Sequence, residues 1–211
     1  MYKRQSPGRS AAENLQFITF LVNILMAVYR RNGLLKASVM SAGNAHRLGA
    51  NEAPPAILSV FLGTQLSAIL DKIEFSQSDE AIQLDKKTGF RMDGITHIPE
   101  LFRDTTDRNR TSPFAFTGNK FEFRMVASSM SIAGANTVLN TVVADVLEGM
   151  ADELAGAADF DSAVDALIQK TLKEHQKVIF NGNGYSDEWV AEAERRGPVS
   201  YTHLRAHETG R

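Results

Sequence analysis

The chain has 211 residues, 43% hydrophobic and 23% charged, with 23 lysines and arginines against 25 aspartates and glutamates and no cysteine. That is enough chain for a sizeable core and too apolar for a disordered segment. A formal net charge of −2 lacks the broad basic field of a nucleic-acid binder, and zero cysteine excludes disulfides, thiolate zinc sites and cysteine nucleophiles.

The first predicted element is a helix from about Ala11 to Arg31. Ser10-Ala11-Ala12-Glu13 has the form of a capping box, and Gly33 is the expected stop. The helix is apolar around most of its circumference (Leu15, Phe17, Ile18, Leu21, Ile24, Leu25), which calls for burial. Its apolar stretch, Phe17 to Tyr29, contains Thr19 and Asn23 and is shorter than the ~20 residues a bilayer span needs. It ends in Arg30-Arg31-Asn32-Gly33, not in a small-residue cleavage site, so a signal peptide is not expected. The expectation is a soluble, cytoplasmic chain with neither a membrane nor a nucleic-acid partner.

An extended segment, Lys36 to Ser41, is expected to lead into a glycine-bearing loop, Gly43 to Gly49. Pro54-Pro55 is expected to open a second helix from Ala56 to about Ile73, followed by a polar stretch to residue 90. The dense polar run Arg103 to Thr111 precedes the turn Thr117-Gly118-Asn119 and a strand from Lys120 to Val126. Two long helices follow, about Thr137 to Leu154 and Ser162 to Phe180. After the turn Asn181-Gly182-Asn183-Gly184, a short helix capped by Ser186 is stopped by Gly197.

The ends differ from this body. Residues 198–211 have neither helical nor strand periodicity, and Val199 to Thr209 resembles translated sequencing-adapter read-through; Met1 to Gln5 resembles the same at the other end. The expectation is that residues 1–5 and 198–211 are non-native and that 6–197 is a partial domain. His203 and His207 are spaced as a helical metal pair, but neither a helix nor a third ligand is evident there. Setting both ends aside removes Lys3, Arg4, Arg205 and Arg211 against Glu208, leaving a more acidic body.

Three segments can carry chemistry. In Lys120-Phe121-Glu122-Phe123-Arg124-Met125 a strand's alternation puts three charges on one face and three apolar side chains on the other. Such a face either lines a site or is a solvated face with cross-strand ion pairs. Arg103, Arg108 and Arg110, interleaved with Asp104 and Asp107, either grip a phosphate or carboxylate or neutralise one another on the surface. The stretch Asn44 to Pro55, with Asn51-Glu52 just before Pro54-Pro55, has the form of an anchored flap or of a plain connection, and His46 within it has no visible acidic partner. No phosphate-binding glycine-lysine loop, zinc-protease motif, nucleophile elbow or dinucleotide fingerprint is present. The residues alone suggest an anion site built from arginines and one carboxylate.

In this order, the three segments resemble the C-terminal catalytic half of glutamine synthetase, most closely the type III class, over about residues 7 to 197. Arg47 to Pro55 resembles the family's substrate-arginine and glutamate-flap stretch, Asp107 to Ser112 its phosphate loop, and Phe121 to Arg124 its metal-and-substrate strand. Asn181 to Trp189 also resembles type III. The resemblance implies an α+β fold: a mostly helical part of the catalytic domain, with a few antiparallel strands in the active-site sheet. It implies a glutamate–ammonia ligase that uses ATP to make an acyl phosphate, with Mg²⁺ or Mn²⁺ as cofactor, and a homo-oligomer as the parent.

By position, Glu122 would bind metal, Arg124 and Arg47 would grip glutamate, and Arg110 would bind substrate and neutralise the transferring phosphoryl group. Lys120 would contact nucleotide, and Glu52 would close the flap and help accept ammonium's proton. The chain departs from the pattern at Phe114-Ala115-Phe116, where a nucleotide-contacting arginine is expected, and in an Arg47-to-Glu52 spacing one residue shorter than in the bacterial type I pattern. With further metal ligands lying upstream, the chain alone is expected to be inactive. A ligase joining glutamate to another amine, or a non-catalytic helical interaction module, is the alternative.

Overall fold

The computed structural model describes residues 11–50, 53–75, 111–118 and 120–197. At its centre is α1 (Ala11–Arg30), in which every side chain from Leu21 to Val28 is buried. That includes both the apolar residues and Asn23, as an all-round apolar helix requires. Helices α5 (Ile132–Ala155) and α6 (Phe160–His175) pack on it. Surface ion pairs fasten the three together: Arg31 to Asp145 at 2.6 Å, Lys170 to Glu153 at 2.9 Å and Arg30 to Glu174 at 3.7 Å. No helix among the described residues is long and apolar enough to cross a membrane.

The region after α1 differs from the sequence expectation. Gly33 does not stop the helix; the chain turns at Arg31 and continues as α2 (Asn32–Ala37). Gly33 in a helix costs about 1 kcal/mol, offset here by burial of Leu35 and by the Asn32 amide, which donates to the Leu58 carbonyl at 3.1 Å. The expected extended segment is therefore helical as far as Ala37, and most of the expected glycine-bearing loop is α3 (Ala42–Arg47). The Ser41 side chain caps α3 by accepting from Asn44 N at 3.2 Å. The turn comes only at Gly49, at φ +84°, where Gly49 N donates to the carbonyls of Ala53 and Pro54.

Pro54-Pro55 opens no helix. Ala56, Ile57, Leu58 and Val60 are all buried on a non-helical path into β1 (Val60–Phe61), and α4 (Thr64–Phe75) begins only after Gly63, at φ +83°. A short continuous apolar run fits a buried strand as well as a buried helix, and packing decided between them.

β2 (Phe114–Phe116), which was not foreseen as a strand, pairs antiparallel with β3 (Phe121–Phe123) around the turn at Gly118. On its other side β2 pairs parallel with β1, Val60 opposite Phe114. The sheet is thus mixed, in order β1-β2-β3: its β2–β3 pair is antiparallel, as expected of the sheet in this α+β fold, and β1 adds a parallel pair that was not foreseen. A parallel pair needs a long crossover between its strands, which adjacent-segment reasoning does not anticipate.

The C-terminal part follows expectation more closely. α5 starts earlier than predicted, at Ile132, capped by Ser131, and α6 gives way to a single 3-10 turn (Gln176–Val178). α7 (Asp187–Arg196) is capped by Ser186 and stopped by Gly197 at φ +84°. Trp189 of α7 stacks on Phe180 at 3.6 Å between ring centres, and Arg196 lies over the indole while donating to the Ile179 carbonyl at 2.9 Å. Ser10 of the expected capping box, most of the polar stretch to residue 90, and both chain ends lie outside the described residues.

Candidate functional site

The charged face of β3 forms as the alternation predicts. Phe121 and Met125 are buried on one side, while Lys120, Glu122 and Arg124 project on the other. Arg124 places Nε and an Nη on a single Glu122 oxygen, Oε2, both at 3.0 Å. Lys120 Nζ approaches the other oxygen, Oε1, at 3.3 Å, and the Thr117 hydroxyl donates to it at 3.4 Å. Burial acts to raise the Glu122 pKa, but the hydrogen bonds and charges of Arg124 and Lys120 outweigh it and hold the carboxyl below its ordinary value. The site thus holds an ionised carboxylate between two cations.

Arg47 reaches this strand from α3. Its Nη2 donates to the Met125 carbonyl at 3.1 Å and its Nε to Asn44 Oδ1 at 3.0 Å. Fully buried Asn44 donates to that same carbonyl at 2.9 Å and to the Val39 carbonyl at 2.6 Å. Arg47 is therefore braced against the backbone one residue beyond Arg124. Sequence reasoning passed over Asn44; the signal was Ser41-x-x-Asn44, a variant of the capping box whose third helical residue faces inward. His46 is exposed.

Of the six site residues singled out in the sequence, the structure brings Lys120, Glu122 and Arg124 into contact and sets Arg47 beside them. Glu52 and Arg110 lie outside the described residues, as do Asn51, Arg103, Asp104, Asp107 and Arg108. Their described neighbours are anchored. Gly184 N donates to Thr111 Oγ1 at 2.9 Å, and Ser112 is buried. The turn before Gly184 is fixed by Asn181, whose Oδ1 accepts from Leu62 N and Gly63 N, both at 3.0 Å, and whose amide donates to Ser67 Oγ at 2.8 Å.

A family model for the glutamine synthetase C-terminal domain matches residues 163–206. A glutamine synthetase of Bacteroides fragilis is 48% identical over 203 residues, covering 94% of this chain. A type-3 glutamine synthetase of Dictyostelium discoideum is 46% identical over 195 residues, covering 90% of it. The chain belongs to the glutamine synthetase family. A glutamine synthetase of Butyrivibrio fibrisolvens, 41% identical over 192 residues, agrees. The chain spans 28%, 26% and 27% of the lengths of these three relatives.

The divalent cation that a glutamine synthetase implies can be tested against the donors present. Ionised Glu122, on a polar strand face, is a suitable hard ligand. Such a cation takes six or more oxygens, and among the described residues no cluster of three histidines, aspartates or glutamates could hold one. Glu122 therefore fits as one ligand of a set that the described residues do not complete.

Proposed function

We propose that residues 6–197 are part of the catalytic domain of a cytoplasmic, oligomeric glutamate–ammonia ligase, and that β3 supplies part of its active site. The observation that carries this reading is the Lys120–Glu122–Arg124 array with Arg47 braced beside it, in a chain 48% identical to a glutamine synthetase. An amphipathic strand needs no such convergence from a separate helix. Glu122 would contribute one oxygen to a bound Mg²⁺ or Mn²⁺, whose chemistry is to neutralise charge on the phosphates of ATP. Arg124 and Arg47 would hold the carboxylate of glutamate, and Lys120 would contact the nucleotide.

In the reaction, the side-chain carboxylate oxygen of glutamate attacks the terminal phosphorus of ATP and ADP leaves. Ammonia then attacks the acyl carbon, and inorganic phosphate leaves. Arg110 would stabilise charge during phosphoryl transfer, which is mainly a matter of positioning and electrostatics. Glu52 would accept the proton that ammonium gives up.

The test is a chimera in which this chain replaces the matching segment of the Bacteroides fragilis relative, assayed for ATP- and glutamate-dependent glutamine formation. The chimera is expected to be active and the 211-residue chain alone inactive. Appreciable activity of the chain alone would overturn the partial-domain reading. A folded chimera that ligates another amine in place of ammonia would favour the alternative ligase, and one that binds neither ATP nor glutamate would favour an interaction module.

A further inference from the structure

Asn44 has no part in the proposed chemistry, yet it is fully buried beside the site and each polar atom of its side chain is bonded. Its Nδ2 donates to the Val39 carbonyl at 2.6 Å and to the Met125 carbonyl at 2.9 Å, and its Oδ1 accepts from Arg47 Nε at 3.0 Å. The three partners lie in three segments: ahead of α3, within α3 and just past β3. A side-chain amide carries two donors and an acceptor in one plane, which is what this junction uses. Aspartate has no donor to offer the carbonyls, and leucine, of similar size, has neither donor nor acceptor.

The junction decides how Arg47 can meet a ligand. Arg47 gives its side-on pair of donors to the protein: Nε to Asn44 Oδ1 and Nη2 to the Met125 carbonyl at 3.1 Å. Among the described residues none is bonded to Nη1. What Arg47 keeps for a ligand is therefore its end-on pair, Nη1 and the second hydrogen of Nη2, and two such parallel donors match the two oxygens of a carboxylate. The same junction holds Arg124. Arg124 N donates to the Pro113 carbonyl at 2.8 Å, and the carbonyl of the next residue, Met125, is the one that Asn44 and Arg47 share. Both lone pairs of that carbonyl are thereby filled.

We infer that Asn44 is a positioning residue: its amide fixes Arg47 relative to the strand that carries Arg124 and leaves Arg47 to take a carboxylate end-on. Asn44 acts through Arg47 and need not touch substrate. A misplacement of roughly 1 Å in such a group is enough to cost about a hundredfold in rate. That the carboxylate is glutamate's rests on the ligase reading above; that Asn44 holds Arg47 does not.

The test has two arms. In the full 211-residue chain, side-chain hydrogen exchange would be followed by NMR. The Arg47 Nε–H is expected to exchange slowly, and Asn44→Ala to speed it roughly tenfold while leaving the Arg196 Nε–H, bonded to Glu192 at 2.8 Å, unchanged. Fast exchange at Arg47 in the unsubstituted chain would overturn the inference whether or not the variant folds, and so would an equal change at Arg196. In the chimera, Asn44→Ala is expected to raise the KM for glutamate roughly tenfold with the KM for ATP within about twofold. Added to Arg47→Ala it is expected to change the glutamate KM no further, because the group it positions has gone. Equal rises in both KM values, or effects that multiply in the double variant, would show a merely structural role and sink the proposal. Asn44→Ser, whose short hydroxyl cannot span both carbonyls, is the second variant should Asn44→Ala not fold, with the same direction expected and the same outcomes against it. An unsubstituted chimera without activity would overturn the ligase reading and the role toward glutamate with it, while the exchange arm still decides whether Asn44 holds Arg47.

Discussion

Glu122 is the residue on which the site turns, because its charge is what Lys120 and Arg124 share. Replacing it by Gln keeps the shape and removes the charge. The pairs are partly exposed and worth only ~0–1 kcal/mol, so Glu122→Gln is expected to leave the melting temperature of the chain nearly unchanged. If Glu122 ligates the cation as proposed, Glu122→Gln in the chimera should lower glutamine formation by roughly a hundredfold or more, since an amide oxygen carries no charge to set against the cation's. Activity within a few-fold of the unsubstituted chimera would remove Glu122 from the metal site. Two other residues contribute to how stability varies with pH. His175 is buried and neutral: Arg30 Nε donates to its Nε2 at 3.1 Å, so its proton is on Nδ1, facing the Thr171 carbonyl at 2.9 Å. Burial is the main cause of its lowered pKa. The folded chain therefore binds this proton less readily than the unfolded one, whose value is 6.5, and stability falls as pH drops below it. Asp165 acts in the opposite sense. Burial, with Asp161 and Asp159 nearby, raises its pKa from 3.8 to about 6, so its favourable contribution is complete below 3.8 and lost as pH rises to about 6. Asp165→Asn should therefore raise the melting temperature at pH 7 and give no comparable gain at pH 4; an equal shift at both pH values would contradict this assignment.

Among the elements, α7 was legible in the sequence from end to end, because a Ser hydroxyl at the cap and a glycine at positive φ act within one turn of their own backbone. The start of α4 was not, because its partner is remote. Asn181 accepts from the Leu62 and Gly63 amides across more than a hundred residues of chain, and no local pattern marks that pairing. Asn181→Ala leaves both amides without their acceptor, and buried unsatisfied groups cost ~1–3 kcal/mol each. The expected loss is about 2–4 kcal/mol in urea unfolding, and a loss below about 0.5 kcal/mol would mean that water replaces the side chain. The same contrast holds before α4. The apolar run Ala56 to Val60 was expected to open a helix; it is extended instead, ending in the pairing of Val60 with Phe114 and with Ile179.

At the scale of the molecule, α1 is the axis on which α5 and α6 pack, with Leu25 at 1% exposure among its buried side chains. Leu25→Ala should cost ~2–5 kcal/mol, a large share of the ~5–15 kcal/mol that holds a typical domain. The measurement is the denaturation midpoint, and a shift equivalent to less than about 1 kcal/mol would show that α1 is not the centre of the core. The burial of α1, the polarity of the β3 face and the caps of α7 were all determined by the sequence, since each follows from a period or a hydrogen bond within a few residues. The tertiary structure alone decided that β1 runs parallel to β2, that Arg47 ends on the Met125 carbonyl, and that Gly184 closes on Thr111. Periodicity tells a residue which face it occupies. It cannot tell that residue which distant backbone atom it will meet, because that depends on how the buried faces of α1, α5, α6 and the sheet fit together.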